Sequence, residues 1–151
     1  MSKDIPLEWG SQLHGKSVYF DANIFIYILE HHPNFGEVCL SIVQRGVDKE
    51  LDGYSGDLVM AELLVKPLKD NNARAVKAVK DLFSKETRIE LLPHKQSTFE
   101  AAAVLRASYK IKLPDALHIA TAIENHIEIF LTNDREIPSI HEITVLQLSP
   151  A

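Results

Sequence analysis

The amino-acid sequence predicts an α/β fold in which a mainly parallel central sheet lies between two helical layers, a three-layer α/β/α sandwich. Short segments rich in β-forming residues alternate with helical segments along the chain, an order typical of parallel sheets covered on both faces. The chain has 151 residues, of which 46% are hydrophobic and 25% are charged, as in an ordinary globular domain. We therefore expect a single domain over residues 1–151, with its core at about 17–148.

Composition limits the classes of function. No apolar run approaches the roughly 20 residues that a membrane-spanning helix needs. Cys39 is the only cysteine, so it cannot form an internal disulfide, and its apolar neighbours predict a small buried hydrophobe. A cytoplasmic location is the default expectation. The net charge of −5 opposes strong non-specific adhesion to nucleic acid, but divalent metal on carboxylates would change the local field and permit such a substrate.

The first strand is predicted at Ser17–Phe20, and it leads directly into a helix over about 24–29. Asp21 lies between them, at the carboxyl end of the strand, where ligands bind in open α/β sheets. Alternatively, Asp21 only caps the helix. The further helices are predicted at about 35–48, 57–66, 71–85, 96–109 and from 114 onward, and the further strands at about 51–56, 88–92, 127–131 and 143–148. The inward stripe of the helix at 96–109 is predicted at Ala101, Val104, Leu105 and Ser108. Residues 1–16 receive no role.

Glu62 lies one turn into the predicted helix at 57–66 and is flanked by apolar residues. Asp57 or Ser55 would cap this helix, and Pro67 would end it. A carboxylate at the edge of an apolar helix face is a candidate ligand. The alternative is an i,i+4 ion pair between Glu62 and Lys66, which is well oriented on a helix.

Asp115 begins a strongly apolar segment. Pro114 suits the first turn of a helix, where its missing N–H is no loss. The residues that follow repeat at helical spacing and predict a buried stripe at Ala116, Ile119, Ala120 and Ile123. Asp115 would therefore lie at the edge of a buried face. Alternatively, it only complements the positive end of the helix dipole.

Asn133 and Asp134 follow the strand at 127–131, where a turn or capping role is the alternative to a functional one. His118 is predicted to be packed against the helix or to face solvent rather than to bind a ligand. The sequence has no His-Glu-x-x-His motif and no cysteine pair, so nothing supports a zinc site.

The four acids are expected to share one edge of the sheet, because strand carboxyl ends and the starts of the following helices meet there. These acids are Asp21, Glu62, Asp115 and Asp134. Four adjacent carboxylates would not all ionise without a cation. Oxygen ligands suit Mg²⁺ or Mn²⁺ and not zinc. Such a site can generate hydroxide and stabilise the charge on a phosphoryl group.

Four short motifs also resemble a known family. They are residues 18–23 (VYFDAN), 61–63 (AEL), 113–122 (LPDALHIATA) and 130–134 (FLTND). Together they resemble the four acidic motifs of PIN-domain ribonucleases, and most closely the VapC-like toxins of prokaryotic toxin–antitoxin pairs. The resemblance spans about residues 17–148.

The resemblance implies a PIN-like fold and metal-dependent hydrolysis of RNA. Asp21, Glu62, Asp115 and Asp134 would bind one or two Mg²⁺ or Mn²⁺ ions, with support from Asn23 and Thr132. It also implies a homodimer and a small antitoxin that blocks the site. Two alternatives stay open. A phosphatase of one large family would need an Asp two residues after Asp21, where this chain has Asn23, and a non-catalytic interaction module would use the acids only as caps or charges.

Overall fold

The computed structural model describes residues 7–148, where pairs of helices separate the first four strands and the fifth strand follows the fourth with no helix between them. Residues 1–16, which received no role from the sequence, therefore lie partly outside the described residues. The helices are α1 (Leu7–Leu13), α2 (Ala22–Leu29), α3 (Gly36–Val47), α4 (Leu58–Lys69), α5 (Ala73–Leu82), α6 (Gln96–Ser108) and α7 (Leu113–Glu124). The strands are β1 (Ser17–Phe20), β2 (Asp52–Gly56), β3 (Ile89–Leu92), β4 (Ile129–Thr132) and β5 (Thr144–Gln147). A short 3₁₀ turn covers Lys85–Thr87.

The five strands form one parallel sheet in the order β3-β2-β1-β4-β5. The chain moves outward in one direction from β1 to β3 and then returns to the other side of β1 for β4. The strand order thus reverses between β1 and β4, which is where open α/β sheets form a ligand crevice. Phe20 is aligned with Leu131 in this pair, so Asp21 and Thr132 come next to each other at the carboxyl edge.

Each face of the sheet carries its own core. On β1, Val18 and Phe20 point to one face, where residues from α2, α3, α4 and α5 cover them. Tyr19 points to the other face and packs with Phe130 among residues of α6 and α7. The predicted three-layer α/β/α sandwich is therefore confirmed. Cys39 is fully buried in the first core, as predicted, and burial raises the pKa of its thiol to about 12.

Two local predictions were wrong. Pro67 does not end its helix, because α4 continues to Lys69 with the proline ring buried inside it; packing of the ring outweighs the loss of one backbone N–H. The inward face of α6 is formed by Thr98, Ala102 and Leu105, whereas Val104 is 67% exposed. The predicted stripe was rotated by about one residue, because several alanines make the apolar face of this helix ambiguous.

Candidate active site

Asp21 is held at the junction of β1 and α2 with 4% of its surface exposed. Its Oδ1 accepts the backbone N–H of Ala22 at 2.8 Å. Its Oδ2 accepts the Thr132 hydroxyl at 2.7 Å and the Asn23 amide at 3.2 Å. Burial raises the pKa of Asp21, although the Thr132 hydrogen bond acts in the opposite direction. The capping role predicted as an alternative is present, and it fixes the carboxylate at the crevice.

Thr132 joins the two strand ends that form the crevice. Besides donating to Asp21, its Oγ1 accepts the Asn23 amide at 3.1 Å and the backbone N–H of Asp134 at 3.0 Å. Asn23 also accepts the backbone N–H of Asn133 at 3.1 Å through its Oδ1. Asn23 and Thr132 thus fasten the loop after β4 to the start of α2.

Asp115 lies in the first turn of α7, directly after Pro114. Its pKa is raised to about 6, first by burial and then by the charges of Asp21 and Asp134, with a smaller contribution from Glu62. The charges of the three other predicted acids therefore all act on Asp115. Asp134 adds a turn of its own, because its Oδ1 accepts the backbone N–H of Glu136 at 2.9 Å.

Glu62 does not pair with Lys66. Lys66 reaches across to Glu30 at 3.0 Å instead, so the alternative drawn from their helical spacing was wrong. Glu62 Oε1 lies 2.5 Å from Nε2 of His118. His118 is fully buried, which agrees with the predicted packed position and not with the solvent-facing one. Its hydrogen-bond partners were not predicted.

His118 also contacts Tyr19 from the middle of the sheet. The distance between His118 Nδ1 and the Tyr19 hydroxyl is 2.5 Å. Burial raises the pKa of the Tyr19 phenol, so the phenol keeps its hydrogen and can donate it to Nδ1. An ionised carboxylate only accepts, so Nε2 of His118 is the donor in the contact with Glu62.

His94 forms a neighbouring polar contact at the start of α4. Its Nε2 accepts the backbone N–H of Leu58 at 3.0 Å, and its Nδ1 donates to the Thr121 hydroxyl at 2.7 Å. This acceptor takes the place of the predicted caps, since Asp57 makes no side-chain capping bond and Ser55 donates to the carbonyl of Phe20. Burial and the nearby His118 lower the pKa of His94, in keeping with a neutral ring.

Sequence reasoning did not single out Tyr19 or His94 and did not assign His118 to the site. One signal was available for His118. It follows Asp115 by three residues within the apolar segment, so both lie on one flank of the helix. Tyr19 and His94 carry no comparable local signal, because their partners belong to other elements.

The donor set fits a hard divalent cation. Among the side chains that the structure describes, no three His, Cys, Asp or Glu residues are already gathered as a coordination shell. Burial nevertheless raises the pKa of Asp21 and of Asp115, and neighbouring carboxylates add to the rise at Asp115, so negative charge is disfavoured at both positions. A divalent cation would relieve this, and an all-oxygen donor set suits Mg²⁺ or Mn²⁺.

The parallel sheet with an acidic crevice at its switch point defines an α/β protein with a candidate metal-dependent active site. The PIN domain family profile matches residues 18–143, and the chain belongs to the PIN domain family. None of the curated protein sequences matches the chain. Across residues 7–148, no helix is long and apolar enough to cross a membrane.

Solved structures share the fold at low sequence identity. A VapBC complex from Rickettsia felis bound to a promoter DNA fragment is 19% identical, with a TM-score of 0.69 over 87% of this chain and 98% of that one. A toxin–antitoxin complex from Klebsiella pneumoniae is 20% identical, with a TM-score of 0.64 over 87% and 97%. The VapC toxin of Mycobacterium tuberculosis that cleaves the sarcin–ricin loop is 13% identical, with a TM-score of 0.58 over 76% and 87%.

Proposed function

We propose that the protein is a divalent-metal-dependent endoribonuclease and the toxin component of a type II toxin–antitoxin system. The observation that carries this proposal is the buried Asp21 carboxylate at the crevice between β1 and β4, held by Ala22 and Thr132. The charges of Asp21, Asp134 and Glu62, which raise the pKa of Asp115 after burial, support it. Membership of the PIN domain family and the fold shared with toxins of toxin–antitoxin complexes support it.

The acids have distinct roles in this proposal. Asp21, Asp115 and Asp134 hold the metal, and Glu62 binds it directly or through a water molecule. Bound Mg²⁺ or Mn²⁺ supplies a Lewis acid that lowers the pKa of water and stabilises charge on the phosphoryl oxygens. Asn23 and Thr132 orient the Asp21 carboxylate by the hydrogen bonds described above.

Cleavage of a mixed-sequence single-stranded RNA tests the activity. The purified protein is compared with its Asp115→Asn variant in Mg²⁺, in Mn²⁺ and in chelator. An exposed acid outside the site, Asp81, which pairs with Lys77 on α5, provides the matched Asp81→Asn control. We expect cleavage by the wild type and the control only with metal, and none by Asp115→Asn. Equal cleavage by folded Asp115→Asn would contradict the proposal.

Two further measurements on the same purified proteins separate the two alternatives. Hydrolysis of a small phosphoester with no action on RNA would favour a phosphatase, although Asn23 already bonds to Asp21 and Thr132 and offers no second acid there. Failure of the wild type to bind Mn²⁺ at millimolar concentration would favour a non-catalytic interaction module.

The proposal extends to the partners. A groove of about 290 Å³ lies between α2, α4 and α5, reaches Glu62, and is lined largely by apolar side chains. A short apolar segment of a small antitoxin bound there would block access to the acids.

We also propose a homodimer, a cytoplasmic location and a single domain over residues 1–151. Co-expression with the product of any small reading frame adjacent to the gene should give a complex without nuclease activity. Light scattering of the free protein should give the dimer mass.

A further inference from the structure

One oxygen of Glu62 is committed to a buried partner. The side chain of Glu62 is 28% exposed, whereas His118 is fully buried, and their contact of 2.5 Å involves only Oε1. A carboxylate whose first oxygen accepts a fixed N–H has its second oxygen directed by that bond. Glu62 is therefore oriented by a buried side chain of α7.

The imidazole that orients Glu62 is itself held on its other nitrogen. Tyr19 is fully buried, stacks on Phe130 at a ring-centroid distance of 5.5 Å, and meets the His118 ring edge-on at 5.6 Å. Its hydroxyl contacts Nδ1 of His118. With a carboxylate at Nε2 and a phenol hydroxyl at Nδ1, the tautomer that satisfies both contacts carries its hydrogen on Nε2, on the side of Glu62.

We propose that His118 is a positioning residue that holds Glu62 Oε1 so that Oε2 faces the metal, and that Tyr19 fixes the His118 tautomer required for this. The inference rests on the proposed function, because it assumes that the acids bind a divalent cation. It assigns a role in that site to two side chains that donate no ligand atom. Hydrogen-bonded partners of metal ligands typically change metal affinity by about 10–100-fold when removed.

Mn²⁺ titration of the full chain by calorimetry tests the inference without depending on nuclease activity. His118→Leu removes the donor to Glu62 and should weaken Mn²⁺ binding by about 10–100-fold. His118→Gln keeps an N–H near the position of Nε2 and should restore affinity to within a few-fold of the wild type. Tyr19→Phe, which loses one hydroxyl and keeps the ring packing, should weaken binding in the same direction by a smaller factor.

Two comparisons distinguish positioning from a general loss of stability. Ile42→Val removes one buried methyl group from the opposite core and should leave Mn²⁺ affinity unchanged, while it lowers the melting temperature. Adding His118→Leu to a Glu62→Gln background should produce little further loss, because the histidine acts through the carboxylate.

The outcomes separate this inference from the function on which it rests. If the wild type binds no Mn²⁺, both fail. If the wild type binds Mn²⁺ and the variants His118→Leu and Tyr19→Phe bind it equally well, the inference alone is overturned. Tyr19→Phe keeps the inference falsifiable if His118→Leu does not fold.

Discussion

Replacement of Asp115 by Asn is expected to stabilise the metal-free protein at neutral pH. Burial and the charges of Asp21 and Asp134 raise the pKa of Asp115 from 3.8 to about 6, whereas the unfolded chain titrates near 3.9. Between these values the folded protein binds a proton that the unfolded chain has released. The stability of the wild type therefore decreases as pH rises through about 4–6, and the charge remains unfavourable above that range.

The size of the effect follows from the same shift. A pKa rise of this size corresponds to about 3 kcal/mol at full strength, and solvent around the partly exposed carboxyl reduces this to about 1–2 kcal/mol. Asn has nearly the same shape and carries no charge, so Asp115→Asn should recover that amount. For a chain of this size the melting temperature should rise by about 3–6 °C.

Thermal unfolding monitored by circular dichroism in chelator, from pH 4 to pH 8, measures the difference between the two proteins. We expect almost no difference in melting temperature at pH 4 and the full difference by about pH 7. Asp81→Asn is the exposed control, and its melting temperature should not rise. Addition of Mn²⁺ should then raise the wild-type melting temperature more than that of the variant. An Asp115→Asn protein that is no more stable than the wild type at pH 7 would refute the reasoning.

Three further predictions concern the groups that surround the acids. Thr132→Val should lower the free energy of unfolding by about 1–3 kcal/mol, because a buried carboxylate loses its hydroxyl donor; Thr132→Ser is the control, and urea unfolding measures both. The pKa of His94 is lower in the folded protein than in the unfolded chain. Its neutral ring therefore contributes stability above about pH 6.5, and this contribution is lost as the pH falls toward the pKa of the folded state. A His94→Leu protein whose stability falls with acid as that of the wild type does would contradict this. Gly56→Ala should destabilise the fold by about 1–3 kcal/mol, because the added Cβ would lie 2.3 Å from the Tyr19 hydroxyl. Gly46→Ala is the control, since its Cβ would meet no atom closer than 3.4 Å. We expect the control to unfold like the wild type in the same urea assay.

The layered fold could be predicted because its strongest elements carry local signals. β1 and β4 are short runs of apolar residues that are buried on both faces, as parallel strands require. β2 carries a weaker local signal, since Gly53 and Gly56 have low strand propensity. Its glycines are explained by neighbours that no local pattern contains. A Cβ at Gly53 would lie 2.9 Å from the ring of Phe20 on β1.

The acids of the candidate site could be singled out one at a time, because each one follows a strand or lies in the first two turns of a helix. Their partners could not. Tyr19 and His118 are 99 residues apart in sequence, and His118 and Glu62 are 56 apart. The i,i+4 spacing of Glu62 and Lys66 was a sound local argument, but the buried imidazole binds the carboxylate, and the lysine pairs with Glu30. Tertiary contacts decided the partners of these side chains.

The acids also differ in how firmly the protein holds them. Asp21 accepts hydrogen bonds on both oxygens and Glu62 on one, whereas burial and neighbouring charges dominate at Asp115. In the proposed metal site, Asp21 and Glu62 would therefore define the position of the cation, and the cation would compensate the charge of Asp115. This division accounts for the opposite signs of the predictions: loss of the Asp115 charge stabilises the metal-free protein, while loss of the Thr132 hydroxyl, which holds Asp21, destabilises it with or without metal.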